Sequence, residues 1–418
     1  MSPPPGDQPD AELRRPQAPH LRDYFEMVNT GFGDRMNADE AYQAAEAAVF
    51  EPERTLAAYD GDKIVGGASA YTFELTVPGE RTVTAAGVSG VAVLPTHTRQ
   101  GILTTLMTAQ LDQAVERDEP VAILNASDSQ IYGRFGFGSA DRATRIEIDT
   151  RHAGFEWPPD PGGSLELVDR VAALPLVAGV YDRIRLRRPG TISRSDAWWA
   201  LVLHETASWK GGGNPFVVIH RDDEGEPDGY AVYHVSTGWD DGNPTGTVDC
   251  RELEGVDWQV EATLWRYLCE IDLVDTVRAY PRPLDDPVQW RLREPRRLLV
   301  KAVVDMLWVR VVDVAASLSA RRYGVEGEVR LDIRDSLRPS TGGVFRLAGG
   351  PAGATCERVD GEGDLIMNVN ELSSVYLGGI DVSTLAAAGR VEEKTTDALF
   401  TADAMFSSRP APFCSTTF

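Results

Sequence analysis

Cysteine is scarce in this chain of 418 residues: Cys250, Cys269, Cys356 and Cys414 lie far apart. No CxxC spacing exists, which argues against a zinc site or a disulfide framework. Reduced thiols in a cytoplasm fit best. Basic residues are outnumbered, with 41 Lys and Arg against 64 Asp and Glu, a formal net charge of −23. Such a field repels nucleic acid and anionic membranes and attracts cationic ligands, so neither nucleic acid nor membrane is expected as a partner; solubility alone would also explain it. The start, Met1-Ser2-Pro3-Pro4-Pro5-Gly6-Asp7, lacks the apolar stretch of a signal peptide. No apolar run reaches the length of a membrane span. Neither a Walker A loop nor a G-x-G-x-x-G fingerprint occurs. The six His are scattered, so no metal is expected.

What is present is globular. Hydrophobic residues make up 42% and charged residues 25%, with nine Trp to fill cores. The length suggests about three domains at about 150 residues each. Residues 1–10 are proline-rich and expected to be disordered. Helices are predicted over 20–30, 38–50 and 101–117, and strands over 54–59, 63–76, 82–93, 121–124 and 143–148. Within 101–117, Leu103, Leu106, Met107, Leu111, Ala114 and Val115 form one apolar stripe. Trp157-Pro158-Pro159-Asp160-Pro161-Gly162-Gly163-Ser164 reads as a linker. Beyond it, helices at 176–185, 196–209 and 258–269 and strands at 215–220, 229–235 and 247–253 loosely echo the first segment. After a break at 281–287, a third segment begins near Leu299. It carries predicted strands at 308–312, 327–333, 343–347 and 365–369 and short helices near 314–319, 371–377 and 382–387.

The stretch from Val91 to Phe137 carries the chemistry. Val91-Ala92-Val93 ends a strand, and Arg99-Gln100-Gly101 then opens a helix. A helix start exposes N–H groups that have no partner one turn earlier. The dipole and Arg99 add positive charge, and Gly101 lets a phosphate approach without a Cβ in the way. An ordinary strand–turn–helix corner would look the same. The setting adds that a strand end can hydrogen-bond an extended pantetheine arm. Ser127 lies beyond the next strand, and two parallel strands parting here would leave a cleft for a thioester.

These residues resemble motif A of GNAT N-acetyltransferases, and Ile131-Tyr132-Gly133-Arg134-Phe135-Gly136-Phe137-Gly138 resembles their motif B. With Pro95-Thr96-His97 and Ala126-Ser127, the pattern looks more specifically like the Eis (enhanced intracellular survival) family of actinobacteria. Leu372-Ser373-Ser374-Val375-Tyr376-Leu377-Gly378-Gly379 resembles that family's C-terminal domain. The resemblance implies an α/β (α+β) chain of two GNAT-like acetyltransferase domains in tandem plus a sterol-carrier-protein-like domain. The corresponding divisions are 1–156, 157–298 and 299–418, assembled as a homohexamer. Only the first domain would bind acetyl-CoA. The binding strip implied is Val91, Ala92 and Val93, the turn Arg99, Gln100, Gly101, Ile102, Leu103 and Thr104, and Ser127 with Asp128. Tyr132 corresponds to the general acid, and the C-terminal carboxylate of Phe418 to the general base. Thr98 departs from the family pattern, which usually has Arg or Gln there, so one phosphate contact is missing.

Both roles are physically consistent. A phenol of pKa about 10 can protonate a departing thiolate; an aromatic packed beside a Gly-rich turn is the structural alternative for Tyr132. A terminal carboxylate has an ordinary pKa of about 3.3–3.7, which burial would raise toward a useful base. It could also orient a cationic amine, and a free tail is the alternative. Asp34 lies where an acidic residue could line a substrate channel; Glu26, Asp39 and Glu40 are neighbours, and all four could be solvated or cap residues. Tyr24, Phe25 and Phe32 could be walls or core. His97 reads as structural or close to phosphate. Trp198, Trp199 and Trp209 read as core. Cys414 sits among apolar neighbours that should keep its thiol protonated. The expectation is acetyl transfer to primary amines of polycationic small molecules such as aminoglycosides, by direct transfer in a ternary complex. The alternatives are a protein or peptide lysine acetyltransferase, or a non-enzymatic lipid- or ligand-binding protein using the third domain.

Overall fold

The computed structural model describes residues 11–17, 20–156, 159–204 and 214–418. The proline-rich start, Trp157-Pro158 and Trp209 lie outside the described residues. The chain forms two compact units. One gathers Met1–Ala140, Leu307–Ser407 and Phe418, and the other gathers Asp141–Met306 and Ser408–Thr417.

The first unit holds a seven-stranded sheet. Its strands are β1 (Glu12–Arg14), β2 (Leu56–Asp60), β3 (Lys63–Val77), β4 (Arg81–Val93), β5 (Val121–Asn125) and β6 (Gly138–Ser139). The strand Leu307–Val311 inserts between β5 and β6, giving the order β1-β2-β3-β4-β5-(Leu307–Val311)-β6. Helices α1 (Leu21–Gly31) and α3 (Ile102–Glu116) cover opposite faces. The adjacent glycines Gly66 and Gly67 of β3 make the room. A Cβ on Gly66 would meet Ile102 and Leu106, and one on Gly67 would meet Tyr24 and Met27. Successive strand residues point to opposite faces, so the two helices are on opposite sides. The expected stripe of α3 is buried at Leu106, Met107, Leu111 and Ala114, while Val115 is exposed.

The same unit contains a five-stranded sheet in the order Gly353–Val359, Gly343–Gly350, Gly327–Arg334, Leu365–Asn368, Val391–Glu393. The helices Val314–Ala320, Val369–Val375, Val382–Ala387 and Ala398–Phe406 complete this carrier-like part. Arg321 fills part of its interior. The guanidinium lies over the rings of Tyr323 and Phe406 and donates to the carbonyls of Tyr376 and Phe406.

The second unit has its own seven-stranded sheet, ordered Leu298–Val304, Ala143–Asp149, Val274–Pro283, Gly246–Gly255, Pro227–Ser236, Phe216–Arg221, Ser164–Val168. The sheets do not follow the expected cuts after residues 156 and 298. Ala143–Asp149, read from sequence as the last strand of the first segment, belongs to the second sheet. Leu307–Val311, read as part of the third segment, belongs to the first. The supposed break at 281–287 begins inside a strand, because Val274–Pro283 continues to its second proline. Trp198 and Trp199 are buried, and Trp199 packs edge-on against Tyr181 at 5.3 Å between ring centroids. The tail is held in this unit, where Arg194 donates to Thr416 Oγ1 at 2.8 Å and Ser415 Oγ at 3.1 Å. Burial pushes the Cys414 thiol up to about 12, with Asp141 adding to the shift, so it stays protonated.

Candidate active site

The site begins where two strands separate. β4 pairs in parallel with β5 only at Ala85↔Val121, Ala86↔Ala122 and Gly87↔Ile123. Beyond Gly87, β4 continues to Val93 still paired with β3, but across a shift of register. Between Ser69↔Ser89 and Gly67↔Ala92, β3 advances two residues while β4 covers three. That extra residue is a β-bulge at Gly90-Val91, and Gly90 adopts φ +59 to make it. Bulges of this kind bend a strand and increase its local twist. Val91 and Val93 are half-buried at this edge and Ala92 is buried.

The turn that follows takes an unusual backbone path. Pro95–His97 forms one 3-10 turn, then Arg99 (φ 65) and Gly101 (φ 84) both take left-handed backbone conformations. A left-handed Arg is uncommon and is a form of strain that clusters at functional sites. Helix α3 starts at Ile102 with no side-chain cap and no acidic residue in its first turn. The N–H groups of Ile102, Leu103 and Thr104 therefore have no intrahelical partner. The side chains behave differently from one another: Ile102 is buried in the core, Leu103 is half-buried, and Arg99, Gln100 and Thr104 are exposed. Thr98 donates its hydroxyl to Pro95 O at 3.2 Å, closing its own turn. His97 lies between Thr96 Oγ1 at 2.8 Å and Asp60 at 3.5 Å, a structural placement.

The corresponding corner of the second unit is closed to anions. There the helix Trp258–Cys269 is capped by Asp257, which accepts from the N–H groups of Gln259 and Val260 at 2.8 and 3.0 Å. Glu261 adds a second carboxyl in the first turn. A carboxylate already holds the donors a phosphate would use.

Tyr132 ends the short helix α4 (Ser129–Tyr132), which Asp128 caps by accepting from Gln130 N–H at 2.9 Å. Its ring is buried and packs edge-on against Phe137 at 6.1 Å. Burial raises the Tyr132 pKa, and a hydrogen bond with the Ser127 side chain acts the other way. The phenol is protonated across the neutral range, the state an acid requires.

Phe418 lies at the parting of the strands. Its N–H donates to Asn125 Oδ1 at 3.1 Å, at the end of β5. Its ring sits 5.0 Å from that of Phe73 on β3. Gly87 provides the floor: a Cβ there would lie 2.5 Å from Phe73 and 3.3 Å from the Phe418 ring. Phe418 is thus seated beside the last residue of β4 that pairs with β5.

Asp34 stands apart from these contacts. It is exposed beyond α1 and accepts from the next amide, Arg35 N–H, at 2.7 Å. Asp39 caps α2 (Glu40–Val49), Glu26 pairs with Arg22 at 3.0 Å, and Glu40 is exposed in the first turn of α2. Tyr24 is core, Phe25 stacks in a cluster with Tyr24 and Phe50, and Phe32 is exposed. Sequence reading passed over Glu46. It is half-buried on α2, and burial lifts its carboxyl above the usual range. Its charge is felt by Tyr42, one turn earlier, and by Tyr71 on β3. Tyr71 lies 6.1 Å from Phe73, which in turn touches Phe418. The Tyr42-x-x-x-Glu46 spacing on a predicted helix was the available signal.

Residues 12–140 and 190–311 each match the model of an acetyltransferase (GNAT) domain, and 314–415 match that of a sterol carrier protein domain. Fold and matches define a GNAT N-acetyltransferase, an enzyme using acetyl-CoA as acetyl donor, of α+β architecture with two GNAT domains and a sterol-carrier-like domain. An N-acetyltransferase of Streptomyces avermitilis is 36% identical over 391 residues, covering 93% of this chain and 95% of its own length. N-acetyltransferase Eis of Mycobacterium tuberculosis is 34% identical over 354 residues, covering 83% of this chain and 84% of its own. The crystal structure of Eis1 from Mycobacterium abscessus superposes with a TM-score of 0.85 at 32% identity, over 98% of this chain and 100% of that one. The chain belongs to the Eis family of N-acetyltransferases.

Proposed function

We propose that this enzyme acetylates primary amines of polycationic small molecules such as aminoglycosides, by direct transfer within a ternary complex. The seat of Phe418 at the parting of β4 and β5 supports this reading, in which its carboxylate would serve the acceptor side of a thioester cleft. In this reading the N–H groups at the start of α3, with Arg99, hold the pyrophosphate. The edge Val91 to Val93 and the Ser127-Asp128 segment line the pantetheine arm. The Phe418 carboxylate takes a proton from the substrate ammonium, freeing the amine lone pair. Tyr132 gives its phenolic proton to the departing thiolate. The uncapped α3, against the Asp257-capped helix of the second domain, supports a single acetyl-CoA site in the first domain. Glu46, with Tyr42 and Tyr71 nearby, supports a cationic acceptor, as does the net charge of −23. We read the covalent chain as three domains, 1–156, 157–298 and 299–418, in a cytoplasmic homohexamer, which light scattering would check. Among the described residues no helix is long and apolar enough to cross a membrane.

The test is thiol release from acetyl-CoA with a panel of monoamines, diamines and aminoglycosides. Wild type should turn over polycations best. Tyr132→Phe should lose about 100-fold or more in kcat, the range general acid catalysis supplies, and deletion of Phe418 should lose a similar factor. Wild-type turnover in either variant would remove that residue from its role. Preference for a lysine peptide over every polycationic small molecule would replace the substrate class.

A further inference from the structure

The string Leu372 to Gly379 marks the carrier-like domain in the sequence, and the reaction described above gives it no task. Its helix, Val369–Val375, nevertheless ends several side chains on the loop that follows Tyr132. Asn370 Nδ2 donates to Gly133 O at 2.6 Å and to Phe137 O at 3.0 Å. Ser373 Oγ donates to Gly136 O at 3.3 Å and accepts the Val311 N–H at 3.0 Å. Arg310, wholly buried, donates Nε to Phe135 O at 2.8 Å and bonds the Asp335 carboxylate with another nitrogen. Four carbonyls of an irregular loop thus find donors outside that loop, as buried backbone groups must. The approach is close. A Cβ on Gly138 would lie 2.2 Å from Asn370 O and 2.4 Å from Ser374 Oγ.

Phe137 connects this platform to the acid. Its N–H donates to Tyr132 O at 3.3 Å, and its ring packs against the Tyr132 ring. Asn370 grips the carbonyl of that same residue. We infer that Asn370, assisted by Ser373, is a positioning residue for Tyr132, and that the carrier-like domain serves the reaction by holding the acid in place. This rests on the reading of Tyr132 as general acid. A phenol that must meet a thiolate within hydrogen-bond reach has little tolerance, since a displacement of about 1 Å can cost about 100-fold in rate. Truncating Asn370 removes donors from two carbonyls and frees the loop to shift.

The experiment uses the full-length enzyme and compares Asn370→Ala, Ser373→Ala, Tyr132→Phe and the double variant Asn370→Ala/Tyr132→Phe. Asn370→Ala should lower kcat roughly 10- to 100-fold, with KM for acetyl-CoA within about twofold, since the α3 turn is untouched. The double variant should be no slower than Tyr132→Phe, because there is no proton left to position. Ser373→Ala should show the same non-additivity with a smaller loss, and it carries the test if Asn370→Ala fails to fold by melting analysis. Losses that multiply in the double variant, or wild-type kcat in both truncations, would overturn the inference. Full activity in Tyr132→Phe would instead remove the acid itself, a separate result.

Discussion

Asn125 ties Phe418 to the sheet. The Phe418 N–H is fixed by Asn125 Oδ1, and the ring is fixed by Phe73 and the floor at Gly87. With backbone nitrogen and side chain both held, Phe418 keeps little freedom. Asn125→Ala should therefore lower kcat about 10-fold, a part of what a positioned base contributes, while KM for acetyl-CoA stays near wild type; an unchanged kcat would show that the ring alone is enough. Glu261 gives a pH prediction. Burial lifts its carboxyl to about 8, with Arg282 opposing. Between the ordinary value of about 4.3 and 8, the folded state keeps a proton that the unfolded chain has lost, so this group makes stability fall as pH rises. Glu261→Gln cannot ionise. Its melting temperature should match wild type near pH 4 and exceed it increasingly toward pH 9, and parallel curves would refute the assignment. The motif around Tyr132 was legible because it is a contiguous string of residues. Glu46 was legible only in its helical spacing from Tyr42, since nothing in the chain order announces that its charge reaches Tyr71 on β3.

The turn before α3 shows how an element's start can be specialised by what it omits. Most helices here are capped by Asp, Ser or Asn, as at Asp39, Asp169, Ser195 and Asp257, whereas α3 follows Gly101 in a left-handed conformation. Gly101→Ala should cost roughly 1–2 kcal/mol, the penalty of a Cβ in that region, and raise KM for acetyl-CoA more than it lowers kcat. A calorimetric melt and saturation kinetics would check both, and a larger effect on kcat than on KM would argue against a phosphate cradle. This element was readable at the outset: the predicted helix 101–117 is observed as Ile102–Glu116, and the apolar run after Pro120 is a parallel strand. The bulge at Gly90 was not readable. A glycine in a Val- and Ala-rich strand signals a bulge only once the partner's register is known. Elsewhere local signals misplaced boundaries: a helix read as starting at 176 begins at Arg170 and runs through Pro175, and the strand Val274–Pro283, whose end was read as a break, was not anticipated.

The order of the chain and the order of its sheets disagree, and that disagreement governs how the molecule can be divided. β5 pairs with β4 along one edge, and its other edge is paired along its full length with Leu307–Val311, from Leu307↔Asn125 to Val311↔Val121. Leu307, Val309, Arg310 and Val311 are all buried. Composition and linker signals drew a first domain ending near 156, because periodicity reports each strand but not its partner. A fragment cut there would keep β5 and lose the strand beside it. It would also lose Arg310, the donor to Phe135 O, and Asn370, the donor to Gly133 O and Phe137 O. An unpaired apolar edge of five residues invites association with other chains, and the carbonyls after Tyr132 would lack their donors. Residues 1–156 expressed alone should therefore be aggregated or loosely folded, with no acetyl-CoA-dependent thiol release. Co-expression with a segment spanning 299–407 should restore a soluble complex, still without full activity because Phe418 is missing. Circular dichroism, light scattering and the thiol assay on both preparations would check this. A monomeric, cooperatively melting 1–156 fragment would mean that the sheet closes without its seventh strand.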